Sequence, residues 1–181
     1  MKKIFLAIAV AMAAMGANAQ FASASLQASG LTCSMCSKAV KVALEEVAFV
    51  EKVQVDIKNQ RYNLSFKSGT SIEIDALNKA VVDAGFSIAG LSVTGNVDNV
   101  RAEKDSHVSI GGQTFHFLNG KGQVLSGAKT FTVVDKNFVS AKEFKKYSGA
   151  TQMKCVQSGK AEACCTQNGV LSRERVYHVI I

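Results

Sequence analysis

Gly30-Leu31-Thr32-Cys33-Ser34-Met35-Cys36 stands between an alternating apolar stretch and an amphipathic one, and its position orders the whole N-terminal half. Before it, Ala24, Leu26 and Ala28 share one face of a strand predicted over residues 21–28. After it, Val40, Ala43, Leu44 and Val47 fall on one side of a helix predicted over residues 34–47, with Lys38, Lys41 and Glu45 opposite. Val53, Val55 and Ile57 then alternate with polar residues. The turn Lys58-Asn59-Gln60 follows, and Tyr62, Leu64 and Phe66 alternate again, which predicts a hairpin. Leu77, Ala80, Val81 and Ala84 recur at helical spacing up to Gly85, a residue suited to end a helix, and a last strand runs from Ile88 to Val93. The order is βαββαβ, the split βαβ arrangement of ferredoxin-like domains, so the fold class is α+β.

The chemistry of this half sits in the same loop. Cys33 and Cys36 lie three positions apart at a helix start, so both thiols can face one small volume. Unpaired N–H groups and the positive dipole end favour the thiolate, the form that binds metal. Three readings compete. A structural disulfide suits an oxidising compartment. A thiol–disulfide redox site suits Cys-x-x-Cys at a helix start, but such sites usually carry a neighbouring aromatic residue and Pro, and the chain has no Trp and no Pro. A soft-metal site fits loop, helix start and strand order together. Two thiolates without a third ligand suit low-coordinate Cu(I) better than Zn(II), with Hg(II), Cd(II) and Zn(II) as the other candidates. Met35, between the thiols, could serve as a weak thioether ligand, but an exposed loop methionine pointing away from their shared face is the expectation.

These residues resemble the heavy-metal-associated domain family of copper chaperones, metal-pump amino-terminal domains and periplasmic mercury scavengers. The resemblance covers about residues 21–93. The family's G-M-T-C-x-x-C appears here with Leu31 in place of Met, a volume-conserving exchange. It implies a ferredoxin-like fold, Cys33 and Cys36 as metal ligands with Thr32 beside them, and Phe86, after Gly85, in a loop near the metal. It further implies a protein partner that receives the ion by ligand exchange.

Ahead of this unit, Lys2-Lys3, an apolar run and Ala17-Asn18-Ala19 make residues 1–19 a signal peptide, with cleavage between Ala19 and Gln20 and export to the periplasm or beyond. No membrane insertion is expected after cleavage. The division expected is residues 20–95 as the metal domain, 96–100 as a linker around Asn96-Val97-Asp98-Asn99, and 101–181 as a basic, β-rich domain. Basicity is concentrated in that last part: residues 100–181 hold twelve Lys/Arg against six Asp/Glu, and residues 20–99 hold seven against eight. An exported chain without an aromatic-basic motif is not expected to bind nucleic acid.

In the C-terminal part, Gly111-Gly112 predicts a two-residue hairpin turn that sets His107 opposite His116, close enough to share a metal, although two half-exposed imidazoles on a polar face are the expectation. A strand at residues 130–134, a helix at 140–147 capped by Ser140, and strands at 152–157 and 175–181 complete an order that suits a small OB-like barrel. His178 is expected on the solvent side of the last strand. Cys155, Cys164 and Cys165 are candidates for a disulfide staple or a second thiolate site. No Ser/His/Asp set, paired-carboxylate motif or phosphate loop stands out, so the chain reads as a binding protein, not an enzyme.

Overall fold

The computed structural model describes residues 20–166 and 170–181, so the signal-peptide reading lies outside the described residues. The N-terminal half follows the expected order: β1 Gln20–Ser29, α1 Ser34–Glu45, β2 Val50–Asp56, β3 Arg61–Phe66, α2 Ile74–Asp83 and β4 from Ser87. β1 pairs antiparallel with β3 and β4, and β2 with β3. In β3 the alternation is complete, with Tyr62, Leu64 and Phe66 buried and Arg61, Asn63 and Ser65 exposed. Val40 and Leu44 of α1 and Ile74, Leu77 and Val81 of α2 are fully buried against that face. The apolar spacing therefore sets both helices flat on the sheet.

β4 differs from expectation. It continues to Glu103, so Asn96-Val97-Asp98-Asn99 lies within a strand of 17 residues rather than in a linker. Its distal part pairs with β7 (Lys121–Val133), with a register shift between Val97 and Val100 where Asn99 takes φ +51°. Polar, turn-forming residues here mark a bulge, and a bulge in a strand has the same composition as a linker. β5 (His107–Ile110) and β6 (Gln113–Phe117) form the expected hairpin, with Gly111 and Gly112 at φ +59° and +77°, as a two-residue turn of this kind requires. β8 (Val176–Ile180) pairs parallel with β6 and antiparallel with β7.

Among the described residues, the eight strands join one sheet in the order β2-β3-β1-β4-β7-β8-β6-β5. The C-terminal strands extend the ferredoxin-like sheet instead of closing a separate OB-like barrel. The segment expected as a strand at residues 152–157 instead carries the short helix α4 (Cys155–Ser158), which follows α3 (Ala141–Ser148) and precedes α5 (Ala163–Thr166). Gly159, in the left-handed region at φ +67°, stops α4 after one turn. α3 begins at Ser140 in a full capping box with Glu143.

One hydrophobic core runs under β1 and β4 and on to Phe115, Phe117, Phe131, Tyr177 and Val179. The opposite face of the C-terminal strands is also covered: Val176 packs with Cys155, Ala161 and Cys165, and Leu118, Val134 and Ile180 pack around α3. β8 is thus buried on both sides. Arg175 joins the halves, donating from Nε and Nη2 to the two oxygens of Asp75 at 2.7 and 3.0 Å, while the Asp75 backbone N–H donates to the Tyr177 hydroxyl at 3.3 Å.

Candidate metal centre

The loop between β1 and α1 turns at Gly30, whose φ of +85° is a left-handed value. Phe86, half-buried against the core, packs beneath it, its ring 3.8 Å from where a Cβ on Gly30 would sit. Cys33 is the N-cap residue of α1 in extended conformation, and Cys36 is in the first turn. The buried Tyr62 holds that turn from below, its hydroxyl donating to the Ser37 carbonyl at 3.3 Å.

Cys33 and Cys36 converge as their spacing predicts, with sulfurs 3.2 Å apart. Thr32 Oγ1 lies 3.6 Å from the Cys36 sulfur. The Cys36 pKa is lowered from 9.0 to about 7, first by the hydrogen bond from the Cys33 thiol and then by the backbone N–H and hydroxyl of Thr32. Cys36 is therefore substantially thiolate at neutral pH, at a helix N-terminus that favours negative charge. Cys33 opens into a groove of about 400 Å³ shared with Thr32, Lys38, Lys41 and the exposed Ile57. Met35 is 69% exposed and borders a different groove, between α1 and α2. It is not brought to the thiols.

At metal–sulfur bonds of about 2.3 Å, a 3.2 Å separation of the sulfurs subtends roughly a right angle at an ion. A two-coordinate ion prefers a straighter arrangement, so the sulfurs must separate by roughly 1 Å. Cys33 can supply that movement, because it is exposed and precedes the first helical residue.

The second cysteine group is arranged differently. Cys155 and Cys165 are buried in one small cluster, and the side chain of Cys164 lies outside the described residues. His107 does pair with His116 as the turn predicts, their rings stacked at 4.5 Å. The exposure expected of His116 and His178 is corrected, since each is fully buried, whereas His107 is half-buried as expected. Burial lowers the pKa of His116 to about 4. His178 faces Cys155 rather than solvent because α4 covers that side of β8, with His178 Nε2 3.3 Å from the sulfur. Asp135 was missed by sequence reasoning. The available signal was the pair of runs Phe115-His116-Phe117 and Tyr177-His178-Val179, where imidazoles stand inside strands apolar enough to be buried on both faces.

Comparisons with known proteins place the N-terminal half. The heavy-metal-associated domain model matches residues 25–87. The chain is 35% identical over 86 residues to the mercuric transport protein periplasmic component of Shigella flexneri and 34% identical to that of Pseudomonas aeruginosa, covering 48% of this chain and 93% of each relative. Among solved structures, oxidized MerP from Ralstonia metallidurans CH34 is 31% identical, covering 38% of this chain and 97% of that one, with a TM-score of 0.34. Through residues 25–87, with Cys33 and Cys36 at their converging rim, the chain belongs to the heavy-metal-associated domain family.

Proposed function

We propose that this protein is an exported soft-metal carrier that captures one ion between the thiolates of Cys33 and Cys36 and passes it to a partner by ligand exchange. The observation that carries the reading is a pair of sulfurs 3.2 Å apart at an exposed rim, one of them with a pKa of about 7. A buried or four-coordinate site would retain its ion. An open pair lets an incoming thiolate reach the metal, form a third bond and take the ion as the first two bonds break in turn. The two-sulfur donor set favours Cu(I), a monovalent soft ion satisfied by two thiolates. Lys38 and Lys41 beside the groove, and the excess of Lys and Arg in residues 100–181, suit an acidic partner face.

A second reading, Hg(II) as cargo, is favoured by the naming of the relatives as mercuric transport proteins of the periplasm. The two are separated by titrating the reduced protein with Cu(I) and with Hg(II) against a competing thiol ligand. Cu(I) carriage predicts one tightly held Cu(I), lost in the Cys33→Ser/Cys36→Ser variant, and delivery to an acceptor dithiol within a mixing experiment. Retention of Hg(II) but not Cu(I) under the same competition would establish the second reading. A measurable disulfide turnover with no metal dependence would instead make the pair a redox site.

A further inference from the structure

His107, His116 and His178 form a row across three adjacent strands, because His107 is the register partner of His116 on β5–β6 and His116 that of His178 on β6–β8. Register partners on neighbouring strands point to the same face, and on that face stands Cys155, at the first turn of α4. Its sulfur lies 3.7 Å from His116 Nδ1 and 3.3 Å from His178 Nε2. The donor atoms of His107, His116 and Cys155 all lie within 4.8 Å of one another. His178 lies outside that mutually close group and reaches it through the sulfur, so it must swing inward to complete a four-ligand shell.

Each of the two buried imidazoles has a carboxylate behind it. His116 Nε2 lies 3.1 Å from Asp105 Oδ1, and His178 Nδ1 lies 2.6 Å from Asp135 Oδ1. A carboxylate accepts the N–H on its side, which fixes the tautomer and turns the lone pair of the other ring nitrogen towards the sulfur. This carboxylate–histidine–metal order is the usual support of imidazole ligands, and here it occurs twice around one thiol. With Zn–N near 2.1 Å and Zn–S near 2.3 Å, a tetrahedral ion sets its nitrogen and sulfur ligands about 3.6 Å apart. The two observed separations fall on either side of that value.

We propose that Cys155, His116, His178 and His107 form a second metal site, of one thiolate and three imidazoles, for a borderline divalent cation of the Zn(II) class, distinct in donor set from the Cys33–Cys36 pair. Capture releases the Cys155 proton to solvent and forms one metal–sulfur and three metal–nitrogen bonds, with no change of oxidation state. His107, half-buried on the edge strand β5, is the ligand by which an ion enters. Cys155, His178 and Asp135 also lie in the order of a nucleophile, base and orienting acid. The sulfur is fully buried, however, and a second imidazole stands beside it where an acyl group would have to approach.

The test uses the full mature chain carrying Cys33→Ser/Cys36→Ser, so that its failure is separate from any failure at the first pair. Co(II) is titrated as the optical probe and Zn(II) competes. The proposal expects one Co(II) per chain with a thiolate-to-metal charge-transfer band and tetrahedral visible bands, displaced by Zn(II). Cys155→Ser should remove the charge-transfer band, and His178→Gln should weaken Co(II) binding at least tenfold. Should these buried substitutions prevent folding, X-ray absorption on the Zn(II)-loaded parent reads the ligand set directly, with one sulfur and three imidazole nitrogens expected. Absence of stoichiometric binding, a sulfur-dominated shell, Cys155 bound in a disulfide, or Cys155 alkylated readily in the Zn(II)-loaded protein would each overturn it.

Discussion

At the scale of single residues, the behaviour of the thiol pair is decided by hydrogen bonds to Cys36 from the side chains and backbone N–H groups of Thr32 and Cys33. Thr32→Val removes the hydroxyl beside Cys36 and keeps its backbone N–H, so the Cys36 pKa should rise from about 7 part of the way towards 9.0, read from the pH dependence of alkylation at Cys36. The folded value lies below the ordinary one. The thiolate therefore adds stability that is fully present above pH 9 and is lost as pH falls through about 7, and denaturation midpoints in the reduced protein should drop across that window. A second expectation concerns motion: on loading with Cu(I), Cys33 shifts and Cys36 stays, so NMR chemical-shift changes should centre on residues 31–34. The pair was legible in the sequence because everything that shapes it is local, a glycine turn, a helix start and a spacing of three. The surroundings of His178 were not, because its burial comes from α4, more than twenty residues away in the chain.

Helices and strands with strong periodicity behave as their sequences predict. The Ser140 capping box is one such case: Ser140→Ala should cost about 1 kcal/mol, measured by urea denaturation, with α3 fraying first in hydrogen exchange. Gly120 provides a sharper test of how β7 enters the sheet. A Cβ there would come within 2.6 Å of the Glu103 backbone at the end of β4. Gly120→Ala should therefore cost roughly 1–3 kcal/mol through overpacking, well beyond the effect of the same change at Gly90, where an added Cβ would meet only the Gln27 side chain at an ordinary 3.8 Å. The hairpin and α3 could be read because turn and cap residues sit next to the pattern they bound. The extent of β4 could not, because Asn96, Asp98 and Asn99 carry turn chemistry, and pairing with β7 overrides it. Residues 152–157 failed as a strand for the converse reason: a single buried valine, Val156, gives no period to read, and Gly159 then closes a helical turn.

For the molecule as a whole, the central fact is that one sheet and one core pass from the heavy-metal-associated half into the C-terminal half. The described residues should accordingly unfold in a single cooperative transition, with tyrosine fluorescence and far-ultraviolet circular dichroism coinciding. Arg175 is part of that continuity. Burial works against its charge, but the Asp75 and Asp135 carboxylates outweigh it and hold the guanidinium's pKa above its ordinary value. Arg175→Ala should lower stability by roughly 1–2 kcal/mol, allowing for partial exposure of the pair. Such long-range relations, above all the parallel pairing of β6 with β8, leave no local trace in a sequence, which is why the C-terminal half was legible only as separate elements. The claim on which the functional account turns is narrower, and X-ray absorption at the metal edge of the reduced protein loaded with one equivalent of Cu(I) tests it most directly. Two sulfur neighbours and no imidazole, lost in Cys33→Ser/Cys36→Ser, is the result predicted. An imidazole-containing shell, or a spectrum unchanged by that double substitution, would contradict it.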